Sequence, residues 1–293
     1  MQSKQKLALG TAQFGLSYGV ANQNGKVAFK EVQRILSRAR EAAIRVLDTA
    51  IGYGESEIVL GKIGISDFHV VSKLPGLPPD CPDIGQWVRR ELANSLARLR
   101  IDHLEALLLH RPAQLQEARG EALYTALRDV QASGLVRKIG ISIYTPDELD
   151  LLMARFEVDL VQAPLNLLDR RLVDSGWAAR LTARSVELHT RSCFLQGLLL
   201  MSPTERPPGF QRFAACWRDW ETWLRDTGLS PLKACLRYAL SQSEARQIII
   251  GIDSSTQMDE ILATAEEDAL PNLPVWTEPP DPLLLNPSCW SAL

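Results

Sequence analysis

The sequence predicts an α/β fold, a parallel (β/α)8 TIM barrel formed as one domain. Short apolar runs rich in β-branched residues alternate with longer amphipathic stretches, the pattern of β–α–β units. Eight such alternations follow one another without a shift in composition, where an open doubly wound sheet would usually stop at about five to seven strands. The 293 residues exceed the usual length of a domain, but an α/β barrel reaches this size as one unit.

Taken in order, the first strand is expected over residues 7–13, followed by a helix that places Val32, Ile35, Leu36 and Ala39 on one face. Strands over 44–49 and 68–73 come next, and the helix after them carries Leu92, Leu96 and Leu99 at helical spacing. The fourth strand spans 104–110. Leu123, Leu127 and Val130 then mark a helix that Gly134 ends before the strand at 137–142. Thr145-Pro146-Asp147-Glu148 supplies an N-cap, a first-turn proline and early acids for the next helix. The last strands are expected at 160–162, 186–190 and 247–251. Several of the eight are apolar throughout, as strands covered on both faces should be. Two segments stand outside the repeat: 201–228, with Trp217, Trp220 and Trp223 at helical spacing, and the proline-rich tail 271–293. Both are expected as lid-like additions to the domain 1–293, near the barrel mouth.

Composition narrows the function. Hydrophobic residues make up 46% and charged residues 23%, the balance of an ordinary globular protein rather than a disordered one. A net charge of −3 with no run of like charges gives no general attraction for nucleic acid or anionic membranes. Residues 1–6 are polar and no long apolar stretch occurs, so a cytoplasmic location is expected. The five cysteines are scattered and include no Cys-x-x-Cys pair, which points to neither a disulfide framework nor a zinc site. Oligomeric state is left open between a monomer and a small homo-oligomer.

A parallel barrel presents its chemistry at the C-terminal ends of the strands. Asp48 closes the second strand, Lys73 the third and His110 the fourth, each after an apolar run. Tyr53 follows Asp48 in a glycine-flanked turn that can return its ring to the same mouth. Each residue alone has a plain reading: a snorkelling lysine, a core histidine, a packing tyrosine. Together they converge on one small space and suit one reaction. Hydride delivered to a carbonyl carbon leaves an alkoxide that needs a proton donor; an adjacent ammonium would lower the tyrosine pKa, a carboxylate would orient the ammonium, and an imidazole would hold the oxygen.

Asp48-Thr49-Ala50 with Tyr53-Gly54, then Val71-Ser72-Lys73, then Leu109-His110-Arg111-Pro112, resembles the aldo-keto reductase family in order and spacing. The resemblance implies Tyr53 as general acid/base, Lys73 and Asp48 as its tuning pair, and His110 as the group that orients the carbonyl. It also implies NADPH or NADH as cofactor, bound without a Rossmann motif, and Glu57 stands where that motif needs glycine. By the same resemblance Ser142 and Gln162 hold the carboxamide, Ser192, Leu195 and Gly197 line the diphosphate, and Glu260 meets the adenine.

Several positions depart from the family's pattern. Ile143 replaces an amide side chain after the fifth strand, and Arg191 stands where an aromatic ring commonly stacks on the nicotinamide. Where NADPH-selective members place basic residues, this chain has Gly251 and Gln257, with Asp253 between them. A carboxylate there would repel a 2′-phosphate and accept from a ribose hydroxyl, which leans toward NADH; alternatively Asp253 caps the helix that begins near Ser255. The expected reaction is reduction of a small aldehyde, ketone or sugar-like carbonyl. A nicotinamide-binding regulatory protein of the same fold is the competing expectation, and a lyase using Lys73 as a Schiff base is disfavoured by the matched Tyr53 and His110.

Overall fold

Eight strands run parallel and close on themselves in chain order: β1 (Leu7–Gly10), β2 (Val46–Asp48), β3 (His69–Leu74), β4 (Leu104–Leu109), β5 (Val136–Ser142), β6 (Leu160–Pro164), β7 (Glu187–Arg191) and β8 (Ala245–Gly251). The closure is made by β1 against β8, with Leu7 opposite Ile248 and Gly10 opposite Gly251. This computed structural model describes residues 2–265 and 270–293; Met1 and 266–269, parts of the expected domain, lie outside the described residues. The predicted α/β barrel is therefore present, strand for strand.

Helices cover the sheet because their apolar stripes must leave water. The Phe29–Glu41 helix buries Val32, Ile35, Leu36 and Ala39, and each of the three larger side chains contributes roughly 1.5–3 kcal/mol. The Ile84–Leu99 helix buries Leu92 and Leu99, with Leu96 packed at its margin. Caps are local: Asp83 accepts from the Gln86 N–H and Ser230 from that of Lys233. At 145–148 the acceptor differs from expectation. The helix is Asp147–Leu152, and the Glu148 carboxylate, rather than the Thr145 hydroxyl, receives the N–H groups of Tyr144 and Thr145 at 2.7 and 2.9 Å. A charged acceptor makes the stronger bond there.

β1 is shorter than expected. It stops at Gly10 because Thr11 turns its N–H and its hydroxyl onto the Asp48 carbonyl, both at 3.0 Å, and Ala12–Gly15 then coils into one helical turn. The two additions pack against each other. On the Ala214–Thr227 helix Trp217, Trp220 and Trp223 are buried; the Trp223 indole donates to Asn272, and Trp290 from the tail sets its edge on Phe210. All five cysteines are free, and among the described residues no helix is long and apolar enough to cross a membrane.

Candidate active site

Alternation along the strands builds the site in layers. Val46, Val71, Leu108 and Leu160, with Ala106, form an apolar cluster of their own inside the barrel. Two residues further along the same strands stand Asp48, Lys73, His110 and Gln162. Equal parity gives them the same inward face, one layer nearer the C-terminal mouth.

Lys73 and Asp48 form a buried ion pair, Nζ to Oδ2 2.7 Å, with side-chain exposures of 1% and 6%. A second Lys73 proton goes to the Thr49 carbonyl at 2.9 Å. The other Asp48 oxygen accepts from Gln162 Nε2 at 2.7 Å, and Gln162 Oε1 accepts from the Ser142 hydroxyl at 3.2 Å. Since β2 and β6 are opposite one another in an eight-stranded barrel, this bond crosses its full width. Each charge and each amide atom in the chain is thereby partnered, as burial demands.

Tyr53 stands above this layer in the turn that follows β2. Its N–H bonds the Ala50 carbonyl, and its own carbonyl accepts from Ser56. Gly54 takes φ +55°, and Gly15 approaches the turn so closely that only a residue without a β-carbon fits. A hydroxyl chain of Thr11, Ser56 and Thr49 fastens the turn from beneath. Lys73 Nζ lies 5.1 Å from the Tyr53 ring centroid, and the His110 ring meets it edge-on at 6.0 Å and 79°.

Desolvation, helped by the Asp48 charge and opposed by that of Arg191, pushes the Tyr53 phenol above its ordinary value. This is the reverse of the lowering expected from Lys73. The ammonium is already neutralised by Asp48, so little of its charge reaches the phenol. Burial pulls Lys73 down against the pull of Asp48. Desolvation and the nearby Lys73 and Arg191 charges bring His110 down to about 4, so its imidazole is neutral near pH 7.

A cavity of about 540 Å³ opens beside Tyr53. Asp48, Tyr53, Arg191, Ser192 and Gly197 line its inner part, and Gly251, Asp253, Gln257 and Glu260 line its far end. Ser142 and Gln162 lie below it, tied to Asp48, while Lys73 and His110 stand behind Tyr53. Leu195 is buried in the loop after β7, at φ +49°. The tryptophans of the 201–228 segment do not reach the lining, although Met201 and Glu205 do.

Two of the departing positions have definite partners in the structure. Arg191 stacks on Tyr144, Cζ 4.6 Å from the ring centroid, and donates to the Ile143 carbonyl at 2.9 Å and to the Ser192 hydroxyl at 3.2 Å. The cap of the Ser255–Thr264 helix is Ser254, whose hydroxyl accepts from the Gln257 N–H, so Asp253 is not the cap. The Asp253 N–H is held by Gln257 Oε1 at 2.8 Å, its Oδ1 is buried without a partner, and burial raises its carboxyl.

Sequence reasoning passed over Tyr18 and Gln196, which meet across the cavity, Nε2 to hydroxyl 3.2 Å. The signal was available, because Tyr18 follows β1 in a glycine-flanked loop just as Tyr53 follows β2. Among the described residues no cluster of His, Cys, Asp and Glu could hold a metal ion.

The profile of the aldo/keto reductase family matches residues 6–272. The chain is 28% identical over 142 residues to the 6-dehydroglucose reductase of Novosphingobium aromaticivorans, a match spanning 43% of this chain and 46% of that protein. Over 296 residues it is 27% identical to the D-threo-aldose 1-dehydrogenase of a Pseudomonas species, covering 86% of this chain and 89% of the relative. Among solved structures, the holo form of the aldo-keto reductase AKR11C1 from Bacillus halodurans superposes with a TM-score of 0.72 at 20% identity, over 90% of this chain and 88% of that one. That last likeness is one of fold.

Proposed function

The chain belongs to the aldo/keto reductase family, and on that premise we propose that it is a nicotinamide-dependent oxidoreductase reducing an aldehyde, ketone or sugar-like carbonyl to an alcohol. One observation carries the proposal: the Tyr53 ring stands over a buried, ion-paired Lys73 and edge-on to a neutral His110 at the wall of the cavity. Relatives named for sugar substrates support the carbonyl class.

Tyr53 is the proton donor to the nascent alkoxide, and its raised pKa keeps the proton in place near pH 7. His110 presents a neutral N–H to the carbonyl oxygen, which adds no fixed charge to the desolvated site. Asp48 orients Lys73, and Gln162 and Ser142 orient Asp48.

NADH or NADPH supplies the hydride when bound. For its carboxamide we propose Ser142 and Gln162, because Gln162 Oε1 accepts one proton from Ser142 and keeps a second lone pair. Arg191, Ser192, Leu195 and Gly197 form the middle of the site, and Gly251, Asp253, Gln257 and Glu260 the adenosine end. The buried, unpartnered Asp253 Oδ1 fits a ribose diol and disfavours a 2′-phosphate, so NADH is the proposed cofactor.

The test is Tyr53→Phe with wild type alongside, titrated with NADH and NADPH and assayed on a panel of carbonyl compounds. Turnover should fall about 10²- to 10⁴-fold while cofactor affinity stays within a few-fold. Tight cofactor binding by wild type with no turnover on any carbonyl would overturn the enzyme reading in favour of a regulatory one.

A further inference from the structure

Arg191, placed above in the middle of the site, carries a charge that the proposed chemistry does not use. Among the described residues no carboxylate lies within ion-pairing distance of its guanidinium, and it is the one basic side chain in the cavity lining. Asp48, the nearest acid of the catalytic set, is already committed to Lys73. A half-buried cation without a counter-charge is costly, and a ligand that brings one removes that cost.

We propose that Arg191 anchors a carboxylate on the substrate, so that the preferred carbonyl compound is an oxo acid rather than a neutral aldehyde or sugar. The inference rests on the reading of Tyr53 as the proton donor. Geometry fixes the anchor: one guanidinium face is packed on Tyr144, and two N–H groups are spent on Ile143 and Ser192. Of five donors, the rest remain for a ligand, and a planar fork suits a carboxylate.

Its position selects the substrate over the cofactor's diphosphate. The Ile143 and Tyr144 contacts hold the guanidinium at the end of β5, on the side of Tyr53 and His110, both of which feel its charge. The cavity runs the other way toward Asp253 and Glu260. A single cation matches a monoanion, whereas the cofactor's diphosphate, with one charge on each phosphate, would keep one charge uncompensated. In the reaction, hydride adds to the carbonyl carbon, Tyr53 gives its proton to the oxygen, and the carboxylate is unchanged.

The experiment compares short ω-oxo acids with their methyl esters, using NADH, in wild type, Arg191→Gln and Arg191→Lys. Wild type should favour the acid in kcat/KM by about 10- to 100-fold. Arg191→Gln should bring the ratio near one, and Arg191→Lys should keep part of it. A wild-type ratio near one, or a ratio unmoved in Arg191→Gln, overturns the anchor. So does a variant whose NADH affinity falls while the ratio holds, since the cation then serves the cofactor. If no carbonyl is turned over, the proposed function fails, and the anchor is read by calorimetry on the NADH-loaded protein: the ω-hydroxy acid should still outbind its methyl ester by the same factor, and equal binding overturns it.

Discussion

Gly15 approaches Tyr53 so closely that a β-carbon on it would sit 1.9 Å from the Tyr53 carbonyl oxygen and 2.4 Å from the Ser56 nitrogen. Both neighbours are backbone, so neither can swing aside. Gly15→Ala must therefore move the turn that aims the phenol, and a displacement near 1 Å costs about 10²-fold in rate. The expected variant folds, by circular dichroism, with kcat/KM reduced by roughly that factor. Activity within threefold of wild type would show that the turn is not held by this contact.

Replacing Gln162 with Leu removes the donor to a buried carboxylate oxygen. Leaving such an acceptor bare costs about 1–3 kcal/mol. Chemical denaturation should register that loss, and Ser142→Ala, which removes only the outer link at 3.2 Å, should lose less. Equal stabilities for wild type and Gln162→Leu would mean that the bond contributes nothing.

Much of the barrel and of its candidate site layer was legible because both follow from period. An apolar run that ends in Asp48, Lys73 or His110 marks a strand and its mouth at once, and equal parity puts the three on one face. What was not legible depends on contacts between residues far apart in the chain. Gly15 touches the Tyr53 turn, Gln162 reaches Asp48 across 114 positions, and Arg191 lies on Tyr144. The direction of the Tyr53 shift was missed because burial, set by residues far apart in the chain, raises the phenol, while Asp48 adds to the rise and pairs with Lys73. Asp253 was balanced between two roles until Ser254 took the cap.

Asp253→Ser removes the carboxylate that would face a 2′-phosphate. The ratio of kcat/KM with NADPH to that with NADH should rise about tenfold, the worth of some 1.4 kcal/mol of repulsion. Paired initial-rate measurements decide it, and a flat ratio would remove Asp253 from cofactor choice.

His110 links the site to stability at mild acid. Its folded pKa, about 4, lies below the usual histidine value near 6.5, so the fold prefers the neutral ring. Stability is complete above pH 6.5 and declines as pH falls toward 4, because the unfolded chain takes up the proton first. His110→Asn should show a shallower decline over that window in urea titrations. Parallel slopes for the two proteins would contradict the shifted histidine.

The bond between Gln162 and Asp48, stretched across the barrel above Val46, Val71, Leu108 and Leu160, has a consequence for proton supply. Beneath it lies that apolar cluster, while level with Gln162 the buried His189 bonds Glu187, which pairs in turn with Lys138. If Tyr53 is the proton donor, the cavity that opens beside it gives it a route to solvent protons, through the same opening that would admit the carbonyl compound and release the alcohol. On that route recovery of the acid and departure of product would share one opening, so whatever slowed the second would delay the first.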